Sequence, residues 1–188
     1  MGLYRFSFKV LDEKEVARAQ AYDLDASYKD LTNVFAAIKG KTVPDAASLL
    51  EDCISMKRAV RYRKFNKGLG HRSELGGKKG RYPKKEAKIA LVLLKSAQAN
   101  ANFKGLDMES LVVRQAAAYK QNRMRRYRHH FGSSITLGYG KQAIWADYMT
   151  CRGEIVLAKG RERDLKRKAN ASKKEAKAAV AKPAEKGK

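Results

Sequence analysis

Hydrophobic and polar residues alternate at the start of the chain. The apolar members of this alternation are Tyr4, Phe6, Phe8 and Val10. A period of two residues places successive side chains on opposite faces of an extended backbone, so the pattern predicts a β-strand over residues 4–10. Residues 12–26 are mixed and acidic, and they predict no regular element.

Two helices are predicted after this stretch. Ser27 and Asp30 resemble a capping box with Asp in the place of the usual Glu or Gln, and Gly40 lies where a helix would end. The apolar residues at helical spacing between them are Leu31, Val34, Phe35 and Ile38. Thr42 can cap a second helix that carries Pro44 in its first turn. Its apolar stripe comprises Ala46, Leu49, Leu50, Cys53 and Ile54.

A third helix and two further strands are predicted downstream. Pro83 opens the helix, which continues to about Phe103 and stops at Gly105. Its buried face consists mostly of small residues: Ala87, Ala90, Leu91, Leu94, Ala97 and Ala101. Residues 111–120 and 143–151 each have the composition of a strand.

The connection between these two strands is long and basic. Residues 111–146 contain seven Lys or Arg and no acid. A hairpin turn needs only about two to five residues, so we expect the strands to continue outward as an extended β-hairpin over residues 111–157. Its tip would lie near residues 125–138. Such an arm would be unstable alone in water and would need RNA to hold it.

These elements predict an α+β fold with a small antiparallel sheet packed on about three helices, a long protruding β-hairpin and a disordered basic C-terminal tail. A single domain is expected over residues 1–158, including a basic loop at residues 57–82. Residues 159–188 are rich in Lys and Ala and have few bulky apolar side chains. Such a composition favours a disordered tail that folds on RNA.

The net positive charge of the chain indicates what kind of partner it binds. The chain has 42 Lys and Arg against 19 Asp and Glu, a net charge of +23. Residues 57–88 alone hold 13 Lys or Arg and two acids, with glycines and tyrosines between them. Like charges repel and little here is apolar, so we expect this segment not to fold against itself and to contribute nothing to the core. A polyanion would supply partners and release counterions, which predicts binding to nucleic acid and favours RNA.

The residues predicted to contact RNA are the cations, one histidine and one tyrosine of this segment. They are Lys57, Arg58, Arg61, Arg63, Lys64, Lys67, His71, Arg72, Lys78, Lys79, Arg81, Tyr82, Lys84, Lys85 and Lys88. Glycines there would let the backbone approach phosphate closely. Tyr62, Tyr82 and Tyr127 are expected to stack on unpaired bases.

The sequence offers few candidate residues for catalysis or metal binding. All three histidines lie in basic loops, and the pair His129 and His130 has no carboxylate or thiol near it in sequence. Asp23 and Asp25 are expected in a solvated acidic loop. Cys53 and Cys151 are far apart in sequence and are expected to be reduced thiols. We therefore predict no enzyme activity, cofactor, metal or membrane partner. Two other classes remain open: a general or chromatin-like nucleic-acid binder that uses the tail, and an RNA-modifying enzyme, which would need a polar pocket.

Four strings carry a family resemblance. They are AAIKGK at 36–41, FNKGLGHRSE at 65–74, GRYPKKEAK at 80–88 and KSAQANANFKGLDMESLVV at 95–113. In this order and spacing they resemble universal large-subunit ribosomal protein twenty-two in its archaeal and eukaryotic form, called large-subunit protein seventeen in eukaryotic naming. The resemblance covers roughly residues 18–150.

The resemblance implies a cytoplasmic, structural protein of the large ribosomal subunit that binds rRNA and neighbouring ribosomal proteins. It also implies a hairpin whose tip helps to line the exit tunnel of the nascent polypeptide. The residues that fall on the family's hairpin end are Arg123, Arg125, Arg126, Tyr127, Arg128, His129 and His130. The segments HHFGSSITLGYG and AIWADYMTCRGEIVL depart from the family pattern, and the Lys/Ala tail is not part of the shared core.

Overall fold

The computed structural model describes residues 5–8, 15–124 and 147–160. These residues form an α+β fold in which three α-helices accompany two three-stranded antiparallel sheets. The predicted fold class is confirmed. In chain order the elements are β1 (Val16–Leu24), α1 (Tyr28–Ile38), α2 (Val43–Ile54), β2 (Val60–Arg61), β3 (His71–Arg72), a 3-10 turn (Ser73–Leu75), β4 (Lys78–Arg81), α3 (Lys84–Phe103), β5 (Leu111–Met124) and β6 (Tyr148–Lys159).

The strand predicted over residues 4–10 is wrong in its described part, because residues 5–8 form no strand. Residues 4, 9 and 10 lie outside the described ranges. The first strand, β1, instead occupies the stretch that predicted no element. It places alanines, including the buried Ala17 and Ala19, against the core. Because alanine contrasts weakly with its polar neighbours, the alternation of this strand is hard to see in the sequence.

All three predicted helices are confirmed, and so are their caps. Ser27 accepts a hydrogen bond from the backbone N–H of Asp30 at 3.4 Å, and Thr42 accepts one from Asp45 at 3.4 Å. The return bond of the expected capping box is different. The backbone N–H of Ser27 donates to Glu86 of α3 at 3.2 Å, so the start of α1 is tied to another helix.

The larger sheet has the order β1-β6-β5, with β6 in the centre. The strand predicted over residues 143–151 is offset, since β6 covers Tyr148–Lys159 and residues 143–146 lie outside the described part. β5 extends past the predicted end at residue 120 to Met124. Residues 153–157 are buried without alternation, because a central strand covered on both faces loses the two-residue period.

Helices α1, α2 and α3 cover one face of this sheet. The largest buried side chains of the core include Phe35, Leu31, Leu94 and Ile155. At Gly153 a Cβ atom would lie 3.2 Å from Cζ of Phe35 and 3.3 Å from Cδ2 of Leu93. The glycine therefore permits the close approach of the helices to the central strand.

Residues 5–8 cover part of the opposite face of the sheet. Glu154 of β6 is fully buried there. Its carboxylate accepts hydrogen bonds from the backbone N–H of Ser7 at 3.3 Å, from Nε2 of Gln20 at 3.4 Å and from the hydroxyl of Tyr119 at 3.1 Å. These hydrogen bonds satisfy the buried carboxylate and connect the first described residues to all three strands.

Candidate nucleic-acid interface

The predicted RNA-contacting residues are mostly exposed and lie between α2 and the second turn of α3. The exposed ones are Lys57, Arg58, Arg61, Arg63, Lys64, Lys67, His71, Arg72, Lys78, Arg81, Lys84, Lys85 and Lys88, and the half-buried ones are Lys79 and Tyr82. Arg123 is exposed near the end of β5. The other predicted tip residues, from 125 to 130, lie outside the described part of the chain.

The basic loop (residues 57–82) is folded, and the expectation that it contributes nothing to the core is wrong. Strands β2, β3 and β4 form the second sheet, in the order β2-β4-β3. Val60, Tyr62 and Leu69 are buried in the main core. Inward residues alternate with outward cations along β2 and beyond it, so the loop gains apolar burial while its charges stay in water.

Gly80 is needed inside this small sheet. A Cβ atom there would lie 2.4 Å from Cδ1 of Leu75 and 2.8 Å from the carbonyl oxygen of Val60. Gly77, with a φ of 74°, takes a left-handed conformation that suits glycine. At these two positions glycine serves the turns and packing of the loop itself, which differs from the expected close approach to phosphate.

Asn33 of α1 holds the backbone of the basic loop at residues 63 and 64 through side-chain hydrogen bonds. Its side chain is buried, and its Nδ2 donates to the carbonyl oxygens of Lys29 at 2.8 Å and Lys64 at 3.0 Å. Its Oδ1 accepts from the backbone N–H groups of Arg63 at 3.2 Å and Lys64 at 3.3 Å. Every hydrogen-bonding position of the amide is thereby used. The sequence alone does not single out Asn33, because a helical asparagine ordinarily indicates the surface.

Acidic side chains hold the aromatic residues of the loop. The hydroxyl of Tyr62 donates to Asp30 at 2.7 Å, and the hydroxyl of Tyr82 donates to Glu74. Glu74 also accepts from the backbone N–H of Ala59 at 3.2 Å. These two bonds, the one from Tyr82 first, lower the pKa of Glu74. Both acids therefore work as internal ties of a cationic segment.

The tyrosines of the loop are less available to bases than expected. Tyr62 is only 3% exposed, so the prediction that it stacks on a base is wrong. Burial, and then its bond to Asp30, raise its pKa. Tyr82 carries the guanidinium of Arg72 at 5.3 Å from its ring centroid, which occupies one ring face. Tyr127 lies outside the described residues.

Asp23, Asp25 and Asp147 stabilise the hairpin root, which comprises residues 122–123 of β5 and residues 147–150 at the start of β6. Oδ1 of Asp23 accepts from Nδ2 of Asn122 at 2.7 Å and from the hydroxyl of Thr150 at 3.2 Å. Asp147 accepts from Arg123, one of the residues predicted at the tip. Asp23 is exposed, as expected for a solvated loop. Its carboxylate nevertheless joins β1 to both strands of the hairpin.

Asp25 completes this root. It pairs with Lys85 of α3 at 2.6 Å and accepts a hydrogen bond from the hydroxyl of Tyr148. The bond from Lys85, followed by that from Tyr148, lowers the pKa of Asp25 below its usual 3.8. Lys85 is therefore partly neutralised by Asp25, which reduces its contribution to any phosphate contact.

The described residues offer little for catalysis. A polar groove of about 360 Å³ includes Asp25 and Asp147 in its lining, and both carboxylates are already engaged. Burial raises the pKa of the free thiols Cys53 and Cys151 to about 11, which leaves them unreactive. Within the described ranges no group of metal-ligating side chains occurs. No helix there is both long enough and apolar enough to cross a membrane.

Comparison with known proteins decides the family. Residues 19–134 match the family model described as ribosomal protein L22p/L17e. The large ribosomal subunit protein uL22 of Archaeoglobus fulgidus is 39% identical over 128 residues, which cover 68% of this chain and 83% of the relative. The protein of the same name from Sulfolobus acidocaldarius is 38% identical over 161 residues, covering 84% and 98%.

The chain belongs to the L22p/L17e family. The resemblance read from the sequence is therefore confirmed, and membership makes the chain a structural ribosomal protein, not an enzyme. The uL22 of Haloquadratum walsbyi is also similar, at 38% identity over 136 residues, covering 71% of this chain and 85% of the relative.

Three of the four strings that resemble the L22p/L17e family contain residues at the ends of helices or within the small sheet. In AAIKGK, the backbone N–H of Gly40 donates to Val113 of β5 at 2.9 Å, and the carbonyl oxygen of Lys41 accepts from Val113 at 2.9 Å. In GRYPKKEAK, Gly80 fits against Leu75 and Pro83 precedes α3. In the last string Gly105 follows α3 with a φ of 68°. Gly40, Pro83 and Gly105 lie where the chain passes from one element to the next, and Gly80 lies within β4.

We expect Asn33→Leu to free the basic loop from α1. The backbone groups of Arg63 and Lys64 would lose their buried partner, so the free energy of unfolding should fall by about 1–3 kcal/mol. Urea unfolding of the full chain measures this. Amide exchange at residues 63 and 64 should accelerate more than exchange within α1. The control Asn102→Leu, on the exposed side of α3, should change stability by less than about 0.5 kcal/mol. Equal effects of the two variants would contradict the role of Asn33.

A second prediction concerns pH and the hairpin root. A carboxylate whose pKa is lowered by folding stabilises the fold above its unfolded pKa, and this contribution is lost as the pH falls through the folded value. Amide exchange at residues 148–150 should therefore be faster in Asp25→Asn than in the wild type at pH 6. The difference should shrink as the pH falls below the usual 3.8 of Asp25. A difference that persists unchanged at pH 2 would argue against the ion pair with Lys85.

Proposed function

We propose that the chain is a structural constituent of the large ribosomal subunit that binds rRNA through its basic loop and the start of α3. We also propose that its hairpin tip helps to line the nascent-peptide exit tunnel. Its partners would be large-subunit rRNA, neighbouring large-subunit proteins and the nascent polypeptide. The relatives reported above carry the name of large ribosomal subunit proteins, which supports the proposed location.

The observation that carries the rRNA proposal is the display of cations on a folded scaffold. Thirteen of the fifteen predicted contact residues are exposed, while Val60, Tyr62 and Leu69 of the same segment are buried. Because the backbone that carries these cations is already folded, binding costs little backbone conformational entropy. They would neutralise phosphates and position the protein without reading base identity.

The pairing at the hairpin root supports the tunnel proposal. β1 pairs with β6 as far as Leu24 opposite Cys151. β5 and β6 continue beyond that point to Met124 opposite Tyr148, as two strands without the third. The next residues, 125–146, carry three arginines and one lysine and no acid. A two-stranded ribbon that leaves the sheet and leads into a cationic stretch is suited to enter a channel of RNA.

The alternative of a general nucleic-acid binder places the main contact in the tail. The tail has 12 Lys or Arg against four acids in residues 159–188, a mixed charge that a solvated segment also shows. The two proposals therefore differ in which cations carry the binding of RNA.

Replacing cations in the loop or in the tail distinguishes the ribosomal proposal from the general binder. We expect Arg61, Arg63 and Lys67, replaced together by Ala, to weaken binding of the full chain to large-subunit rRNA. The slope of log affinity against log salt should fall by about 2–3, because each phosphate contact contributes about 0.7–0.9. Filter binding across a salt series measures this.

The matched control removes the same number of cations from the tail, at Lys166, Arg167 and Lys168. It should change the slope less than the loop variant does. The reverse order would favour the general binder over the ribosomal proposal.

The tunnel proposal has its own test. Replacing Arg125, Arg126 and Arg128 together by Ala should alter the passage of nascent chains while changing the free energy of unfolding by less than about 1 kcal/mol. The stalling efficiency of an arrest peptide, translated by ribosomes that carry the variant, measures passage. The loop variant above, once assembled, should leave stalling unchanged. Unaltered stalling in the tip variant would remove the support for tunnel lining.

A further inference from the structure

One aromatic side chain of the basic loop faces solvent among cations. Phe65 is 42% exposed, whereas Tyr62 is 3% exposed. The stacking residues expected from the sequence are all tyrosines, and this phenylalanine is not among them. The part of the phenyl ring that stays in water gains nothing for the stability of the free protein, and a partner that covers it would explain its exposure.

The backbone of Phe65 is held in an unfavourable conformation. Its φ is 55°, in the left-handed region that bulky residues rarely adopt. The preceding residue, Lys64, is fixed through both its N–H and its carbonyl oxygen by the buried amide of Asn33. The surrounding structure therefore maintains the strain, and strain that is maintained in this way concentrates at functional sites.

The surroundings of the ring suit a nucleotide. Tyr28 packs edge-to-face against it, with ring centroids 5.3 Å apart and planes at 71°. Nζ of Lys29 lies over one face of Phe65, 5.7 Å from the ring centroid, and Nζ of Lys120 lies 4.9 Å from the centroid of Tyr28. A base would stack on the part of the Phe65 ring that remains exposed. Lys64, the residue before Phe65 in the chain, is also exposed. An aromatic surface ringed by ammonium groups can hold a base on the ring and its phosphates on the cations.

We propose that Phe65 is a stacking platform for one unpaired RNA base, with Lys29 and Lys64 holding the phosphates that flank it. The proposal rests on the rRNA binding proposed above and names the kind of RNA that this part of the surface takes. An unpaired nucleotide fits because its base is free to leave the stack. A base inside a duplex is already stacked and paired, so duplex RNA would use the cations alone.

The test is Phe65→Leu in the full chain. Leucine keeps an apolar side chain and the same backbone strain but removes the aromatic face. The probes are a single-stranded oligoadenylate of about 12 nucleotides and an RNA duplex of about the same length. Affinity for the single strand should fall about tenfold, and affinity for the duplex should change by less than about twofold. Phe103→Leu is the matched control, because Phe103 is 93% exposed at the end of α3. It should change neither affinity.

A spectroscopic signature separates stacking from a structural role. Adenine protons of the bound single strand should shift upfield in the ring current of the wild type and of Phe65→Tyr, and this shift should vanish in Phe65→Leu. Unchanged single-strand affinity in Phe65→Leu, or an equal loss on both RNAs, would overturn the stacking site. Failure of the wild type to bind either RNA would instead overturn the rRNA binding on which the site depends.

Discussion

Mutual repulsion of cations is the constraint on which the rest of this structure depends. Residues 57–88 carry 13 Lys or Arg, and they fold only because the backbone between the charges is tied down. Val60, Tyr62 and Leu69 enter the core, and Asn33 saturates the backbone at residues 63 and 64. Apolar burial and satisfied buried hydrogen bonds outweigh a repulsion that water screens at the surface.

The few acids are placed where that repulsion would otherwise open the fold. Asp30 and Glu74 accept hydrogen bonds from the tyrosines of the loop, and Glu86 reaches from α3 to the start of α1. Asp23, Asp25 and Asp147 bind the hairpin root. These acidic side chains thus hold segments of the fold together, while the cations of the basic loop face outward. This division leaves the loop with a mainly cationic surface without a loss of internal order.

The same division supports the proposal that one small domain contacts two regions of RNA. The loop and the start of α3 form one cationic surface, and the β5–β6 ribbon leaves the sheet beyond the last pair with β1, Leu24 opposite Cys151. Because both are built on the same three helices and sheet, their relative placement follows from a packed core. The strained Phe65 belongs to this arrangement, since it directly follows Lys64, whose backbone is held by the amide of Asn33.

The sequence by itself determined the three helices, because capping and helical periodicity are local properties of residues such as Ser27, Thr42 and Pro83. It also determined the α+β class, the family and the positions of the cations. Only the tertiary structure decided that an alanine-rich stretch forms β1, that β6 begins at Tyr148 and that Tyr62 is buried. It alone showed the roles of Asn33, Glu86 and Phe65. Each of these depends on residues far away in the chain, and the character of a single position does not reveal which distant partner will cover it.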